Sequence, residues 1–217
     1  MEQFEGAIFD LDGTLLDSMG VWREIDYAFL GKRGIEVPMD YLEAITPLSF
    51  QAAAEYTINR FHLSDTPSEL IKEWKDMAAY AYSHTVGLKP GVKEYLRELK
   101  KRGVKIASAT SSDENLFIPC LQHNGIDGFF DAYVTVKEVR RGKGFPDVYL
   151  LAAERLGLKP EQCAVYEDIL AGIEGAKMGG FYAVAVLDRN SDFLWERMKQ
   201  KADRWIADFQ ELHHDFT

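Results

Sequence analysis

The chain has 217 residues, of which 47% are hydrophobic and 28% are charged, and its formal net charge is -10. This composition is typical of a globular protein, and the length accommodates one core together with a small second domain. The acidic balance disfavours nucleic acid and anionic membranes as partners, because either would require a broad basic surface. We therefore expect any anionic ligand to be bound by a local group of residues.

Cysteine usage bears on the cellular compartment. The chain has two cysteines, Cys120 and Cys163, each among apolar neighbours. Core positions in a reducing compartment account for them better than a disulfide or a metal site. No basic segment leads into a long apolar one near the start, and no apolar run reaches transmembrane length. These features predict a cytoplasmic protein without a membrane partner, and we expect a monomer.

The first candidate strand ends in acidic residues. The apolar run 7–9 stops abruptly at Asp10, and Asp12 and Gly13 follow closely. This pattern predicts a buried parallel strand that places Asp10 at the carboxyl edge of a sheet. Residues two apart in extended chain point the same way, and glycine lets the backbone approach a ligand. The alternative interpretation is an ordinary turn, in which Asp and Gly are common.

The rest of the chain predicts an insert and an α/β core. Residues 18–85 show helical spacing almost throughout, with Ser49 and Ser68 as expected helix starts. After them, strands that alternate with helices are predicted at residues 104–109, 132–136, 163–166 and 182–187. Repeated strand–helix–strand units give a doubly wound parallel sheet, an α/β fold with a Rossmann-like core. The predicted domains are a core (1–16 and 87–217) and a helical cap (17–86).

Polar side chains recur where the predicted strands end or in the loops that follow. In chain order they are Asp10 and Asp12, Thr110, Lys143, and then Glu167 and Asp168. Because the carboxyl ends of parallel strands lie at one edge, we expect these side chains in one crevice. Each could also have an ordinary role: a helix cap for Thr110, a solvated loop for Lys143 and an exposed strand end for the acidic pair. Their joint order favours a functional site.

This set of residues suits phosphoryl transfer. Clustered carboxylates without His or Cys ligands favour Mg²⁺. Asp10 is the candidate nucleophile that forms an aspartyl-phosphate, and Asp12 is the candidate acid and base. Thr110 offers a hydroxyl beside the amides of a helix start, and Lys143 offers a charge for the transferring oxygens. The predicted reaction is Mg²⁺-dependent hydrolysis of a small phosphorylated metabolite.

Together these motifs resemble the haloacid dehalogenase (HAD) superfamily, in its capped phosphatase and β-phosphoglucomutase-like branch. The resemblance covers nearly the whole chain and depends on residues 10–14, Thr110, residues 142–147 and residues 166–173. It implies that the metal is held by Asp10, Glu167, Asp168 and the backbone carbonyl of Asp12. We expect substrate contacts from Gly13, Thr14 and Ser111. The chain departs from the family pattern at Gly144 and Ile169, neither of which is a reacting group.

A β-phosphoglucomutase-like sugar-phosphate mutase is the main alternative. Mutases of this branch place an arginine directly after a cap serine, whereas Ser49 is followed by Phe50. They also carry a lysine and an asparagine past the hydroxyl motif, where this chain has Asp113 and Glu114. These differences favour a phosphatase. A signalling receiver domain and a non-catalytic phosphate-binding protein are further alternatives; the first has its acidic motifs in the reverse strand order, and the second is expected to lack a reacting carboxylate.

Overall fold

The chain folds into two compact units. A computed structural model describes residues 4–45, 48–189 and 194–216. The core unit comprises Met1–Met19 and Val86–Thr217, and the insert unit comprises Gly20–Thr85. None of the helices in these described ranges combines the length and apolar character that crossing a membrane requires.

The insert unit is helical. Its described helices are α1 (Val21–Gly31), α2 (Met39–Ile45), α3 (Phe50–Phe61) and α4 (Pro67–His84). Ser49 caps α3 by accepting the Ala52 N–H at 3.3 Å, as the sequence predicted. The expectation that Ser68 begins α4 is wrong. Thr66 is the N-cap, and it forms a reciprocal capping box with Glu69.

The core unit is built on a parallel sheet. The described strands are β1 (Gly6–Phe9), β2 (Lys105–Thr110), β3 (Ala132–Thr135), β4 (Cys163–Glu167), β5 (Tyr182–Val186) and β6 (Arg204–Ile206). They are parallel and lie in the order β3-β2-β1-β4-β5-β6. The order reverses between β1 and β4, and open α/β sheets bind ligands outside the carboxyl ends of strands at such a reversal. The predicted doubly wound α/β fold is confirmed.

Helices cover this sheet and complete the core. They are α5 (Val92–Lys101), α6 (Glu114–His123), α7 (Asp147–Leu156), α8 (Leu170–Met178) and α9 (Trp195–Lys201). One buried apolar cluster joins Ile8 of β1 to Val148 of α7 and Ile173 of α8. The cluster fixes α7 and α8 against the strands whose ends carry the acidic residues. The sequence analysis missed β6, because three residues are too few to show an alternating pattern.

The segments that lead into and out of the insert unit are paired with each other within the core unit. Leu16 and Leu88 form an antiparallel bridge. The Asp17 N–H donates to the Gly87 carbonyl at 3.0 Å. The two ends of the insertion are therefore fixed side by side.

The insert unit contains a buried carboxyl group. Asp26 is 9% exposed, and its Oδ1 lies 3.4 Å from the Tyr41 hydroxyl, farther than the 2.9 Å between that hydroxyl and Thr57 Oγ1. Because Thr57 donates its own proton to the Ala53 carbonyl at 2.7 Å, the Tyr41 hydroxyl shares its single proton between Thr57 Oγ1 and Asp26 Oδ1 and stabilises the carboxylate only weakly. Burial raises the pKa of Asp26 to about 6, and the Tyr41 hydroxyl lowers it only in part.

This carboxyl group predicts a pH-dependent stability. The pKa of Asp26 in the folded state lies above the unfolded value of about 3.9, so the folded chain binds more protons between these values. The contribution of Asp26 to the free energy of unfolding therefore falls as pH rises from about 4 to above about 6. We expect Asp26→Asn to raise it by about 2 kcal/mol at about pH 8 and to change it little at about pH 4. Urea unfolding at both pH values measures this difference.

Asp76→Asn is the matched control for this prediction. Asp76 lies in the same unit, but its side chain is 65% exposed and pairs with Lys72 on the surface of α4. Its replacement is expected to change stability by less than about 0.5 kcal/mol at either pH. An Asp26→Asn protein that is less stable than the wild type at the higher pH would contradict the prediction.

Candidate active site

Three buried carboxylates meet where β1 and β4 end next to each other. Phe9 pairs in register with Tyr166, and the Asp10 N–H donates to the Tyr166 carbonyl at 3.0 Å. This pairing brings Asp10 beside Glu167, and Asp168 follows directly. One carboxylate oxygen from each of the three acids lies within 4.8 Å of the others. The structure therefore brings together three of the acids that the sequence singled out.

Lys143 enters the same cluster from the loop before α7. Its Nζ contacts Asp10 Oδ1 and lies 2.8 Å from Glu167 Oε1. The lysine side chain is buried together with both carboxylates. This loop runs close to α8 at Gly175, where an added Cβ would lie 2.1 Å from the Lys143 carbonyl oxygen. The glycine thus allows the helix and the lysine loop to approach.

The cluster has an excess of negative charge. Burial raises the pKa of Glu167 to about 7 despite the opposing charge of Lys143. Burial, reinforced by the charges of Asp10 and Glu167, raises the pKa of Asp168 to about 9. Burial also raises the pKa of Asp10, and Lys143 offsets only part of this rise. Burial by itself would lower the pKa of Lys143, but Asp10 and Glu167 outweigh it and the pKa lies above its usual value.

The donor set fits a divalent metal ion. Carboxylate oxygens are the ligands that hard cations prefer, and Asp10, Glu167 and Asp168 each offer one. Glu167 Oε2 is buried and has no hydrogen-bond partner among the described residues. A buried polar atom of this kind calls for a further partner, and a cation supplies one. With all three acids ionised, the cluster would carry a net negative charge that a divalent cation would neutralise.

Asp12 lies outside this carboxylate cluster. Its side chain is partly buried, and Oδ1 accepts a hydrogen bond from Ser18 Oγ at 2.6 Å. Ser18 is only 1% exposed. The sequence analysis missed Ser18, since a serine six residues after an aspartate carries no general signal. The metal contact expected from the Asp12 backbone carbonyl stays a prediction.

Gly13 and Thr14 pack against Asp168. Gly13 has a φ of 81°, and an added Cβ would lie 2.3 Å from Asp168 Oδ2. The buried Thr14 hydroxyl donates to Asp168 Oδ1 at 3.2 Å. Both residues therefore help to place this carboxyl group. The substrate contacts expected from them stay a prediction.

Thr110 and Ser111 lie at the same edge of the sheet. Thr110 is the last residue of β2, which pairs with β1, and its side chain is fully buried. Its hydroxyl accepts the Ser112 N–H at 3.0 Å, a local contact of the kind that an ordinary capping role would give. Ser111 is exposed. A role for either residue in phosphate binding stays a prediction.

Two residues that the sequence analysis did not select contact Glu167. The Tyr149 hydroxyl donates to Glu167 Oε1 at 2.8 Å. At Gly172, an added Cβ would lie 2.3 Å from Glu167 Cδ, so only glycine leaves room for the carboxyl group. A tyrosine on the apolar face of a helix is not distinguishable by sequence from a residue that only packs.

The chain belongs to the haloacid dehalogenase-like hydrolases, whose family model matches residues 4–180. It is 31% identical to fructose-1-phosphate phosphatase YqaB of Escherichia coli K12, over 85% of this chain and 97% of that protein. It is 28% identical to the phosphorylated carbohydrates phosphatase of Thermotoga maritima, over 81% of this chain and 82% of that protein. A solved Thermotoga maritima structure, provisionally assigned as a β-phosphoglucomutase, is 26% identical with a TM-score of 0.82, covering 93% of this chain and 94% of that one. The predicted family is confirmed.

Proposed function

We propose that this protein is a Mg²⁺-dependent phosphatase that hydrolyses a small phosphorylated metabolite, such as a sugar phosphate, through an aspartyl-phosphate on Asp10. The buried cluster of Asp10, Glu167, Asp168 and Lys143 carries this proposal. Membership of a hydrolase family and similarity to phosphatases of phosphorylated carbohydrates support a phosphoric monoester hydrolase. We further propose a cytoplasmic monomer, in keeping with two free, buried cysteines.

The metal and the phosphate would bind at the ends of β1 and β4. We propose that Asp10, Glu167, Asp168 and the Asp12 carbonyl hold Mg²⁺. When bound, the cation supplies charge neutralisation for the carboxylates and for a phosphate dianion. Lys143 adds a fixed positive charge beside Asp10, where the transferring phosphoryl oxygens would lie.

In the first half of the reaction, an Asp10 carboxylate oxygen attacks phosphorus. A bond forms between Asp10 and phosphorus while the bond between phosphorus and the substrate oxygen breaks. Asp12, in its protonated form, gives its proton to the departing oxygen, which leaves as an alcohol. Gly13, Thr14, Thr110 and Ser111 are proposed to surround the phosphoryl group, as their position at this sheet edge suggests.

In the second half, water releases the phosphate. Asp12 is now a carboxylate and takes a proton from a water molecule, whose oxygen attacks phosphorus. The bond between phosphorus and Asp10 breaks, inorganic phosphate leaves and both carboxyl groups return to their starting states. The Ser18 hydroxyl, which donates to Asp12 Oδ1 at 2.6 Å, limits the orientations available to this acid and base.

Removal of the nucleophile tests the proposed chemistry. Asp10→Asn keeps the shape of the side chain but removes the attacking carboxylate, so phosphate release is expected to fall to background. The assay is release of inorganic phosphate from a panel of small phosphorylated metabolites with Mg²⁺. Asp17→Asn is the matched control, because Asp17 belongs to the same segment but is exposed. Activity that survives in Asp10→Asn, or after complete chelation of metal, contradicts the proposal.

Asp12→Ala tests the assignment of the acid and base. Turnover is expected to fall by about 10²- to 10⁴-fold, the usual contribution of a positioned acid and base. Binding of Mg²⁺ is expected to persist, because the Asp12 carboxyl group lies outside the carboxylate cluster. Calorimetry with Mg²⁺ and steady-state kinetics measure the two quantities separately. Unchanged turnover would show that the proton comes from another group.

A sugar-phosphate mutase is the second candidate function, favoured by the similarity to the provisional β-phosphoglucomutase. One argument against it is weaker in the structure than in the sequence. Asp113 pairs with Lys137 at the surface, so part of the negative charge near Thr110 is offset. The other argument against a mutase is unchanged: Ser49 of the insert unit is followed by Phe50, whereas mutases of this branch have an arginine there.

Paired product assays separate the two functions. With β-glucose 1-phosphate and catalytic glucose 1,6-bisphosphate, we expect glucose 6-phosphate to form more slowly than phosphate is released from the best monoester of the panel. The reason is that a mutase must hold a second phosphate with a fixed cation, and this chain has Phe50 where mutases of this branch have an arginine. Faster formation of glucose 6-phosphate would identify a mutase.

A further inference from the structure

Tyr149 is a buried tyrosine that the reaction above does not use. Its hydroxyl donates to Glu167 Oε1 at 2.8 Å, and Lys143 Nζ lies 2.8 Å from the same oxygen. The other oxygen, Oε2, is buried and has no hydrogen-bond partner among the described residues. We propose that Tyr149 is a positioning residue that fixes the Glu167 carboxyl group in the orientation in which it would serve as a metal ligand. This inference rests on the proposed Mg²⁺ dependence.

Packing alone does not account for the hydroxyl group of Tyr149. The side chain is fully buried in the apolar cluster between α7, α8 and the sheet, and its ring meets Phe181 edge-on at a centroid distance of 6.3 Å. A phenylalanine would fill nearly the same space without burying a polar group, which is unfavourable unless it is hydrogen-bonded. In the described part of the chain, Glu167 is the hydrogen-bond partner of this hydroxyl. The hydroxyl therefore acts on that carboxylate.

Gly172 and Tyr149 contact different parts of the Glu167 carboxyl group. An added Cβ at Gly172 would lie 2.3 Å from Cδ and 2.5 Å from Oε2, so the carboxylate packs closely against a residue that offers no side-chain hydrogen bond. Lys143 is shared with Asp10 and is proposed to contact the phosphoryl group during the reaction. The Tyr149 contact does not involve the phosphoryl group, so it can hold Oε1 throughout the reaction while the carboxyl group serves as a metal ligand.

Tyr149→Phe in the full chain removes the hydroxyl and retains the ring. We expect the dissociation constant for Mg²⁺, measured by calorimetry with the metal alone, to rise by about 10- to 100-fold, as for other partners of metal ligands. Turnover of the best monoester is expected to recover at saturating Mg²⁺. The variant is therefore expected to need a higher Mg²⁺ concentration than the wild type to reach the same turnover. A residue with only a packing role would not move this quantity.

Tyr41→Phe is the matched control. Tyr41 is also fully buried with its hydroxyl close to a carboxylate, Asp26 at 3.4 Å, but it belongs to the insert unit. Its replacement is expected to leave the Mg²⁺ dissociation constant unchanged. Tyr149→Met, which also lacks the hydroxyl, replaces Tyr149→Phe if the latter does not fold, and the same increase is expected.

Two outcomes overturn the inference while leaving the proposed function intact. One is a folded hydroxyl-free variant at position 149 that binds Mg²⁺ within twofold of the wild type. The other is an equal loss of affinity in Tyr41→Phe, which would indicate a general effect of stability. A wild-type protein that binds no Mg²⁺ instead overturns the proposed metal dependence, and this inference with it, so the two failures are distinguishable.

Discussion

Three carboxylates and a single ammonium group are buried together where β1 and β4 end, and much of the nearby structure keeps them there. Buried carboxylates persist only where hydrogen-bond donors or cations surround them. Lys143 forms an ion pair with Glu167, Tyr149 donates a hydrogen bond to Glu167, and Thr14 donates one to Asp168. The negative charge that these contacts leave unbalanced is what suits the cluster to a divalent cation.

Glycines at three positions allow the backbone to pass close to this cluster and to the loop that carries Lys143. Gly13 carries the loop after β1 past Asp168, Gly172 leaves space beside Glu167, and Gly175 lets α8 meet the lysine loop. At each position an added Cβ would lie within 2.3 Å of another heavy atom, so a carboxyl group of the cluster or the lysine loop would have to move. The site is therefore specified by where side chains are absent as well as by which charges are present.

The acidic strand ends were predictable because, in an alternating α/β chain, a short apolar run that stops at a carboxylate is typical of a buried parallel strand. Contacts between helices and strands were not predictable from the sequence. Tyr149 lies on the buried face of α7 with Val148 and Ala152, and its spacing is that of any core residue. Thr66 and Ser68 are both capable caps, and Pro67 at the first helical position is the signal that distinguishes them. Which oxygen a hydroxyl reaches depends on packing that periodicity does not encode.

The pairing of Leu16 with Leu88, and of Asp17 with Gly87, has a consequence for how such chains diversify. The entropy of closing a loop grows only slowly with its length, and here the two ends are already held beside each other by the core unit. The number and identity of the intervening residues can therefore change at little energetic cost to the sheet. Modules of different size can therefore be inserted at this junction while β1 and the carboxylate cluster stay unchanged.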